Sequence, residues 1–439
     1  MLLIYCQELS PRLSYVVNLV FHELLGVKTK ITTSQETFNS SQLAKLNYST
    51  EDVESAVSIT PGAILFEKGI DKKSINTGSP WYGLPTLLVS GEPEFDPLGM
   101  IFFLVSRYEE YGDFTADDHN RFPATESCLY RHNLLEKPIV NKWALRLLEV
   151  LKDRYPDLKH SPRRYHYIST IDVDQAWKYT NKGAFRTLGG LIVDLFKGRR
   201  AEILQRIRVL IGMEDDPFDT FRWQEDIHHK YHPDVQYFIQ VGDRGKFDKN
   251  TSADVRAFRN HVVDLDDHYK VGIHPSYQSN KKPHLLAQEL QLLENIVAHD
   301  VVKSRQHFLI HEMPKTYQNL IDVDIKEDYT MGYSTHIGFR AGIAAPFNFF
   351  NLQTNTEEKL KLFPFSLMDI TPLHYLGLSV KEAEEKCADL IWEVQDVGGL
   401  FISLWHNESV SDDGRWKGWS RLYEYVVATA KGLEVSTPS

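Results

Sequence analysis

Cysteine is scarce. Cys6, Cys128 and Cys387 are the only three in 439 residues, far apart and with no CxxC pair. That spacing excludes a disulfide framework and a thiolate zinc site, and it fits a reducing, cytoplasmic compartment. Long apolar runs are missing as well: nothing approaches the roughly 18 residues that a membrane helix needs, so no membrane is expected as a partner. The opening MLLIYCQELSPRL has a short apolar run but no basic stretch before it and no long apolar core, so no secretory leader is expected. Positive charge is in deficit, with 49 Lys and Arg against 60 Asp and Glu and a formal net charge of -11. Nucleic-acid binders normally show a basic face, so nucleic acid is not an expected partner. A small or neutral ligand is.

What is present is the composition of an ordinary globular protein, 42% hydrophobic and 25% charged. The length suggests two or three domains. Residues 1–160 read as an α/β block. LIYCQ, AILFEKG and PTLLVSG have the look of strands. SPRLSYVVNLVFHELLG, FDPLGMIFFLVSRYEEYGD and NKWALRLLEVLKDRYPDL have helical spacing, with Gly26 stopping the first. No catalytic cluster stands out in this block, and the acidic RYEEY element reads as a solvated or interdomain face.

From residue 161 to 439 the rhythm changes. Seven strand-like stretches follow: RYHYISTIDVD, DVQYFIQVGD, YKVGIHPSY, DVVKSRQHFLI, DYTMGYSTHIGF, KLFPFSLMDIT and GGLFISLWHN. Helical patterns such as KPHLLAQELQLLENIVAH, TYQNLIDVDI and SVKEAEEKCADLIWEVQDV lie between them. Alternation of this kind implies βαβ units and a parallel sheet, and seven strands in series suggest a (β/α)7 barrel. Residues 178–233 exceed what one crossover needs and read as an insertion near the barrel mouth. Its His228, His229 and His232 have no carboxylate partner in pattern, so surface histidines are expected there.

In parallel α/β folds the carboxyl ends of strands and the loops after them build the site. Asp172 and Asp174 stand at the end of the first strand. His274 ends the third, Arg305 and His307 share a face of the fourth, Asp369 ends the sixth, and His406 ends the seventh. The i, i+2 spacing puts Asp172 and Asp174 on one face. Two carboxylates so close cost free energy unless a cation lies beside them. Asp369 reads equally as a helix cap or turn former.

The order TIDVD, QYFIQVGD, VGIHPSY, a later arginine and LFISLWHN resembles the polysaccharide deacetylase (NodB-homology) domain over about residues 163–432. The resemblance implies a distorted (β/α)7 barrel and one divalent metal, zinc above all, used to remove acetyl groups from sugars. The block before it resembles a domain of unknown function that precedes such barrels in some bacterial proteins; its own protein partner is unknown. Carried over by motif, Asp172 matches the catalytic base, Asp174 a metal ligand, and His274 the first ligand histidine. Gln278 stands where the second histidine belongs. His307 is a hypothetical third ligand, completing the set Asp174, His274 and His307. Arg305 matches the arginine that orients the base, with Arg340 as its rival, and His406 the general acid. Trp177, Tyr277, Tyr333, Arg340 and Trp405 are expected to contact the carbohydrate or small acetylated substrate. Gln278 leaves two alternatives open: a degenerate barrel that only binds carbohydrate, and a related hydrolase of non-sugar C–N amide bonds.

Overall fold

The computed structural model describes residues 1–51, 53 and 56–434. Its first strand, β1 (Leu2–Cys6), is buried along its whole length, as an apolar strand covered on both faces should be. It lies between β2 (Thr29–Thr32) and β3 (Ala44–Tyr48), with β4 (Val57–Ile59) beyond β3 in one parallel sheet. β5 (Ile75–Thr77) and β6 (Leu87–Val89) form an antiparallel ribbon.

Five helices accompany these strands: α1 (Pro11–Val17), α2 (Gln35–Ser40), α3 (Pro97–Val105), α4 (Cys128–Arg131) and α5 (Ile139–Arg154). Ser10 caps α1 by accepting from the Leu13 N–H, and Pro11 fills the first turn, where its missing N–H costs nothing. Two expectations fail here. AILFEKG is no strand: Ala63–Leu65 is a single 3-10 turn, and an apolar run that short carries no period to distinguish the two. The helix expected to reach Gly112 ends at Val105, because Arg107 turns left-handed at φ 53.

The second sheet has nine strands in the order β12-β13-β11-β10-β9-β8-β7-β15-β14. In chain order they are β7 (His166–Val173), β8 (Asp234–Ile239), β9 (Lys270–Ile273), β10 (Lys303–Ser304), β11 (Glu327–Asp328), β12 (Phe347–Asn351), β13 (Thr356–Leu362), β14 (Leu367–Met368) and β15 (Leu400–His406). All pairs are parallel except β12 with β13. The architecture is mixed α/β, but the ladder is not a seven-stranded ring. No strand pairing among the described residues joins its two ends. The chain itself bridges them. The Phe363 N–H donates to Asp328 O at 2.8 Å and the Ser366 N–H to Ile402 O at 3.1 Å. Pro364, with no N–H to offer a ladder, stands where β13 gives way to β14.

Helices fill the crossovers: α6 (Ala184–Phe196), α7 (Arg200–Leu210) and α8 (Phe221–Tyr231) between β7 and β8, then α9 (Arg256–His268), α10 (Pro283–Val297), α11 (Lys315–Asp322), α12 (Val380–Asp396) and α13 (Trp419–Ala430). His228 of α8 is not at the surface. Its Nε2 meets the Tyr423 hydroxyl at 2.7 Å and its Nδ1 the Tyr269 hydroxyl at 3.1 Å. His229 and His232 are exposed.

One apolar core runs through residues of both blocks. Tyr15 packs on Phe350 at 5.1 Å between centroids, and its hydroxyl donates to Asn348 O at 2.7 Å. The RYEEY element is buried, not solvated. Glu110 accepts from Arg107 Nε at 2.7 Å and from Arg340 Nη2 at 2.6 Å. Burial opposes charge on Glu110, yet the two guanidiniums hold it far below the usual carboxylate range.

Candidate functional site

β7 and β15 pair in register so that His406 lies opposite Asp172. β8 and β9 continue the sheet on the other side of β7, which sets His274, one residue past β9, beside the same strand end. Asp174 is the hub. Its Oδ1 lies 3.2 Å from His274 Nε2, and its Oδ2 lies 3.4 Å from His307 Nε2 and 3.9 Å from His406 Nε2. Asp172 Oδ2 is 3.7 Å from His274 Nε2. Among the described residues, Asp174, His274 and His307 form the one group of three whose ligand atoms all meet within 4.8 Å.

The tautomer of His274 decides what that group needs. Its Nδ1 sits 2.6 Å from Arg305 O, an acceptor only, so Nδ1 carries a hydrogen, and in the neutral imidazole Nε2 presents a lone pair. That lone pair faces the Asp174 carboxylate. Both His274 Nε2 and Asp174 Oδ1 are buried without a hydrogen-bond partner. Two buried acceptors aimed at each other repel unless a cation lies between them. A carboxylate and two imidazoles, with room for a further ligand, suit a catalytic divalent metal such as zinc, so the donor set fits.

The second imidazole is held the same way. His307 Nδ1 donates to Asp248 Oδ1 at 2.8 Å, and that carboxylate oxygen also accepts from Gln240 Nε2 at 2.8 Å and from the Tyr277 N–H at 2.9 Å. A carboxylate behind a ligating histidine fixes its tautomer and raises its basicity. Burial opposes a proton on His307, but Asp174 and Asp248 together push it up to about 9. The field that retains a proton there also attracts a metal ion, and the two compete for one lone pair. Asp174 moves the opposite way: burial would raise it, but the surrounding imidazoles hold it well below the usual carboxylate range.

Arg305 is fully buried. Its Nη1 donates to Asp172 Oδ1 at 2.9 Å and its Nε to Tyr329 O at 3.1 Å, while Phe238 lies 4.6 Å from the guanidinium. The shared-face argument for Arg305 and His307 does not hold as stated. β10 ends at Ser304, and His307 opens a 3-10 turn. The two still converge, Arg305 on Asp172 and His307 on Asp174.

His406 Nδ1 lies 3.0 Å from Asp369 Oδ2, leaving Nε2 toward Asp174. Burial opposes its protonation, but Asp369 first, then Asp174 and Asp172, push it up to about 10. Asp369 is thus neither cap nor surface turn.

These groups open into a cavity of about 300 Å³. Phe308, Trp416 and Tyr375 give it apolar walls, and Glu408 and Arg415 stand on its rim. His119 and Arg121 from the first 160 residues also line it. Arg121 Nη1 donates to Phe308 O at 2.5 Å, next to His307.

Several expected substrate contacts lie elsewhere. Gln278 is exposed and does not line the cavity. Trp405 points to the opposite side of β15 from His406, as strand alternation requires; its ring meets Tyr423 at 5.0 Å. Tyr333 and Arg340 are buried in the Glu110 network, with the Arg340 guanidinium 5.1 Å from the Tyr333 ring. Trp177 is buried and donates to Asp219 Oδ2 at 3.1 Å. Tyr277 reaches only the next layer, 3.2 Å from His119 Nδ1 and tilted against Phe247 at 4.3 Å between centroids. Asp248 escaped notice because it lies in a loop nine residues past β8, and only the folded loop brings it to His307.

No helix among the described residues is long and apolar enough to cross a membrane. No curated protein matches the chain. Among solved structures it is similar to a protein described as a polysaccharide deacetylase from Mycobacterium smegmatis, at 14% identity and TM-score 0.39, over 61% of this chain and 85% of that one. It is also similar to Puue allantoinase, at 10% identity and TM-score 0.37, over 62% and 85%. Residues 2–156 match a family of unknown function, DUF7033.

Proposed function

We propose that the chain is a divalent-metal-dependent hydrolase that removes acetyl groups, N-acetyl in the first place, from a carbohydrate or glycan precursor. In this reading residues 161–439 form a NodB-type barrel with an insertion at 178–233, and residues 1–160 form a second unit that closes one side of the cavity. The observation that carries it is the convergence of Asp174, His274 and His307, with the facing atoms Asp174 Oδ1 and His274 Nε2 buried without hydrogen-bond partners.

A divalent cation held by Asp174, His274 and His307 would acidify a water and polarise the acyl carbonyl. Asp172, oriented by Arg305, takes the proton of the attacking water as general base. The carbonyl carbon gains the water oxygen and then releases the C–N bond. His406 donates the proton that the departing amine needs from Nε2, while Asp369 keeps hold of Nδ1–H. The products are acetate and a free amine. The cavity lies at the small end of ligand pockets, which suits one sugar ring or a compact amide.

Elemental analysis of wild type beside His274→Ala, together with turnover of a panel of N- and O-acetylated sugars against linear and cyclic amides, tests the reading. A bound divalent metal lost in the variant, with sugar deacetylation, is expected. A metal-free wild type overturns it, and activity on non-sugar amides alone reassigns the substrate.

A further inference from the structure

The helical hairpin α6–α7, within the 178–233 insertion, breaks two rules that the rest of the surface obeys. Large apolar residues are expected to be mostly buried. Yet eleven of the twenty-two large exposed hydrophobics among the described residues lie between Phe185 and Met213. Phe185 is 96% exposed and Phe196 87%. On α6, Phe185, Leu188, Ile192 and Phe196 recur at i, i+3, i+7 and i+11, which is one helical stripe. Leu204 and Ile207 on α7, with Ile211 at its C-terminal cap, repeat the pattern. A contiguous apolar patch rimmed by polar groups marks an interaction surface.

The charge of the hairpin also departs from that of the chain. Residues 182–211 hold Lys182, Arg186, Lys197, Arg199, Arg200, Arg206 and Arg208 against Asp194 and Glu202, seven cations to two anions and a local net of +5. The whole chain carries -11. Arg206 is committed to Asp194 at 2.7 Å and pins α7 to α6. Lys197, Arg199 and Arg200, in and beside the turn, are exposed. The hairpin is a built element and not a loose loop. Gln205 donates to Asp413 Oδ1 at 3.0 Å, and Lys178 pairs with the same carboxylate. Asp413 stands two residues before Arg415 on the cavity rim.

We infer that this hairpin docks the protein on an anionic phospholipid surface, lying in the interface without spanning it. An apolar stripe with Phe and Leu, flanked by Lys and Arg, is the pattern that enters the headgroup boundary. A second copy is disfavoured because it would bring two +5 surfaces together, and like charges across an interface cost free energy. An anionic leaflet supplies the complementary sign at about 1 kcal/mol per basic residue near the surface, a factor of roughly five each. The absence of a membrane span bears only on crossing. The docking stands apart from the hydrolase reading, which it deepens: the cavity rim is tied to the hairpin, so a substrate anchored at that surface would be within reach.

The test sediments the full-length protein with vesicles of phosphatidylcholine alone or mixed with phosphatidylglycerol. Binding to the anionic vesicles is expected, with little on neutral ones and a loss at about 0.5 M salt. Phe185→Ser with Phe196→Ser, and separately Arg199→Glu with Arg200→Glu, are each expected to weaken it by at least about tenfold. These side chains are exposed, so the melting temperature and turnover of a soluble acetylated sugar should be unchanged. No binding by wild type to either vesicle, or undiminished binding by the phenylalanine variant, overturns the inference. Light scattering that shows a dimer dispersed by the phenylalanine changes also overturns it and gives the face to a second copy. A protein that binds vesicles but deacetylates nothing leaves the docking standing and removes only the hydrolase reading.

Discussion

The carboxylate of Asp369 receives both the backbone N–H of His406, at 2.7 Å, and its ring Nδ1, at 3.0 Å. One acidic side chain therefore sets the position of β15's last residue and the tautomer of its imidazole. Asp369→Asn keeps the size but places an amide where two donors already point. Turnover should fall by about 10²–10⁴, the usual worth of a positioned proton donor, with bound metal unchanged. His406→Ala should match it, and the double variant should fall little further, because the two act as one unit. Additive losses in kcat would separate Asp369 from the imidazole.

Asp248 predicts a different signature. It lies behind His307 and touches no substrate-facing surface, being buried with its Oδ1 shared among His307, Gln240 and the Tyr277 N–H. Asp248→Ala should weaken metal affinity by about 10–100-fold, and turnover should recover when metal is added in excess. Gln278→Ala, at an exposed position, should change neither. Competition with a chelator of known affinity measures both; equal affinities in Asp248→Ala and wild type would remove the carboxylate from the metal's support.

These two partners mark the limit of what the sequence discloses. Strand–helix alternation exposes β7, β8 and β15, because their apolar runs are long enough to carry a period, while the four-residue β9 is placed by its position in that alternation. The same logic puts Asp172, His274 and His406 at strand ends. β10, β11 and β14 are two residues each, too short for any pattern, so a shared strand face is the wrong geometry for Arg305 and His307. Short, mixed segments such as TKIT and AKLNY, which form β2 and β3, carry little more signal. Asp369 and Asp248 are ordinary loop aspartates until the fold supplies their imidazoles. Trp405 adjoins His406 in sequence but faces the other side of the strand, and Arg340, the rival to Arg305 for the motif arginine, is buried against its own carboxylate.

The Glu110–Arg340 pair ties the first block to the second, and it is buried on both sides. Removing one partner leaves an unpaired buried charge, which costs about 3–5 kcal/mol. Glu110→Gln should therefore lower stability by several kcal/mol in chemical denaturation, because Arg340 loses its buried counter-charge while Arg107 keeps Glu109. Arg121→Ala, whose partners are half-buried, should cost far less. Comparable losses in the two would mean that Glu110 is not the electrostatic join between the blocks.

Acid should unfold the protein through three histidines held neutral. Burial depresses His228 to about 3, His261 to about 4 and His311 to about 3, the last helped by Arg340. None is a proposed metal ligand. In the unfolded chain each takes a proton near the ordinary value of about 6.5. Below that pH the unfolded state binds more protons than the folded one, so stability falls as pH falls and is unaffected by these groups above it. The loss runs from about 6.5 down toward the folded values, at up to about 1.4 kcal/mol per pH unit for each histidine. His228→Gln can still bond to the tyrosine hydroxyls but cannot be protonated. Its stability between pH 6 and 4.5 should decline less steeply than wild type, by close to one proton's worth. Parallel slopes in the two proteins, measured by urea titration at each pH, would mean that His228 is already charged in the fold.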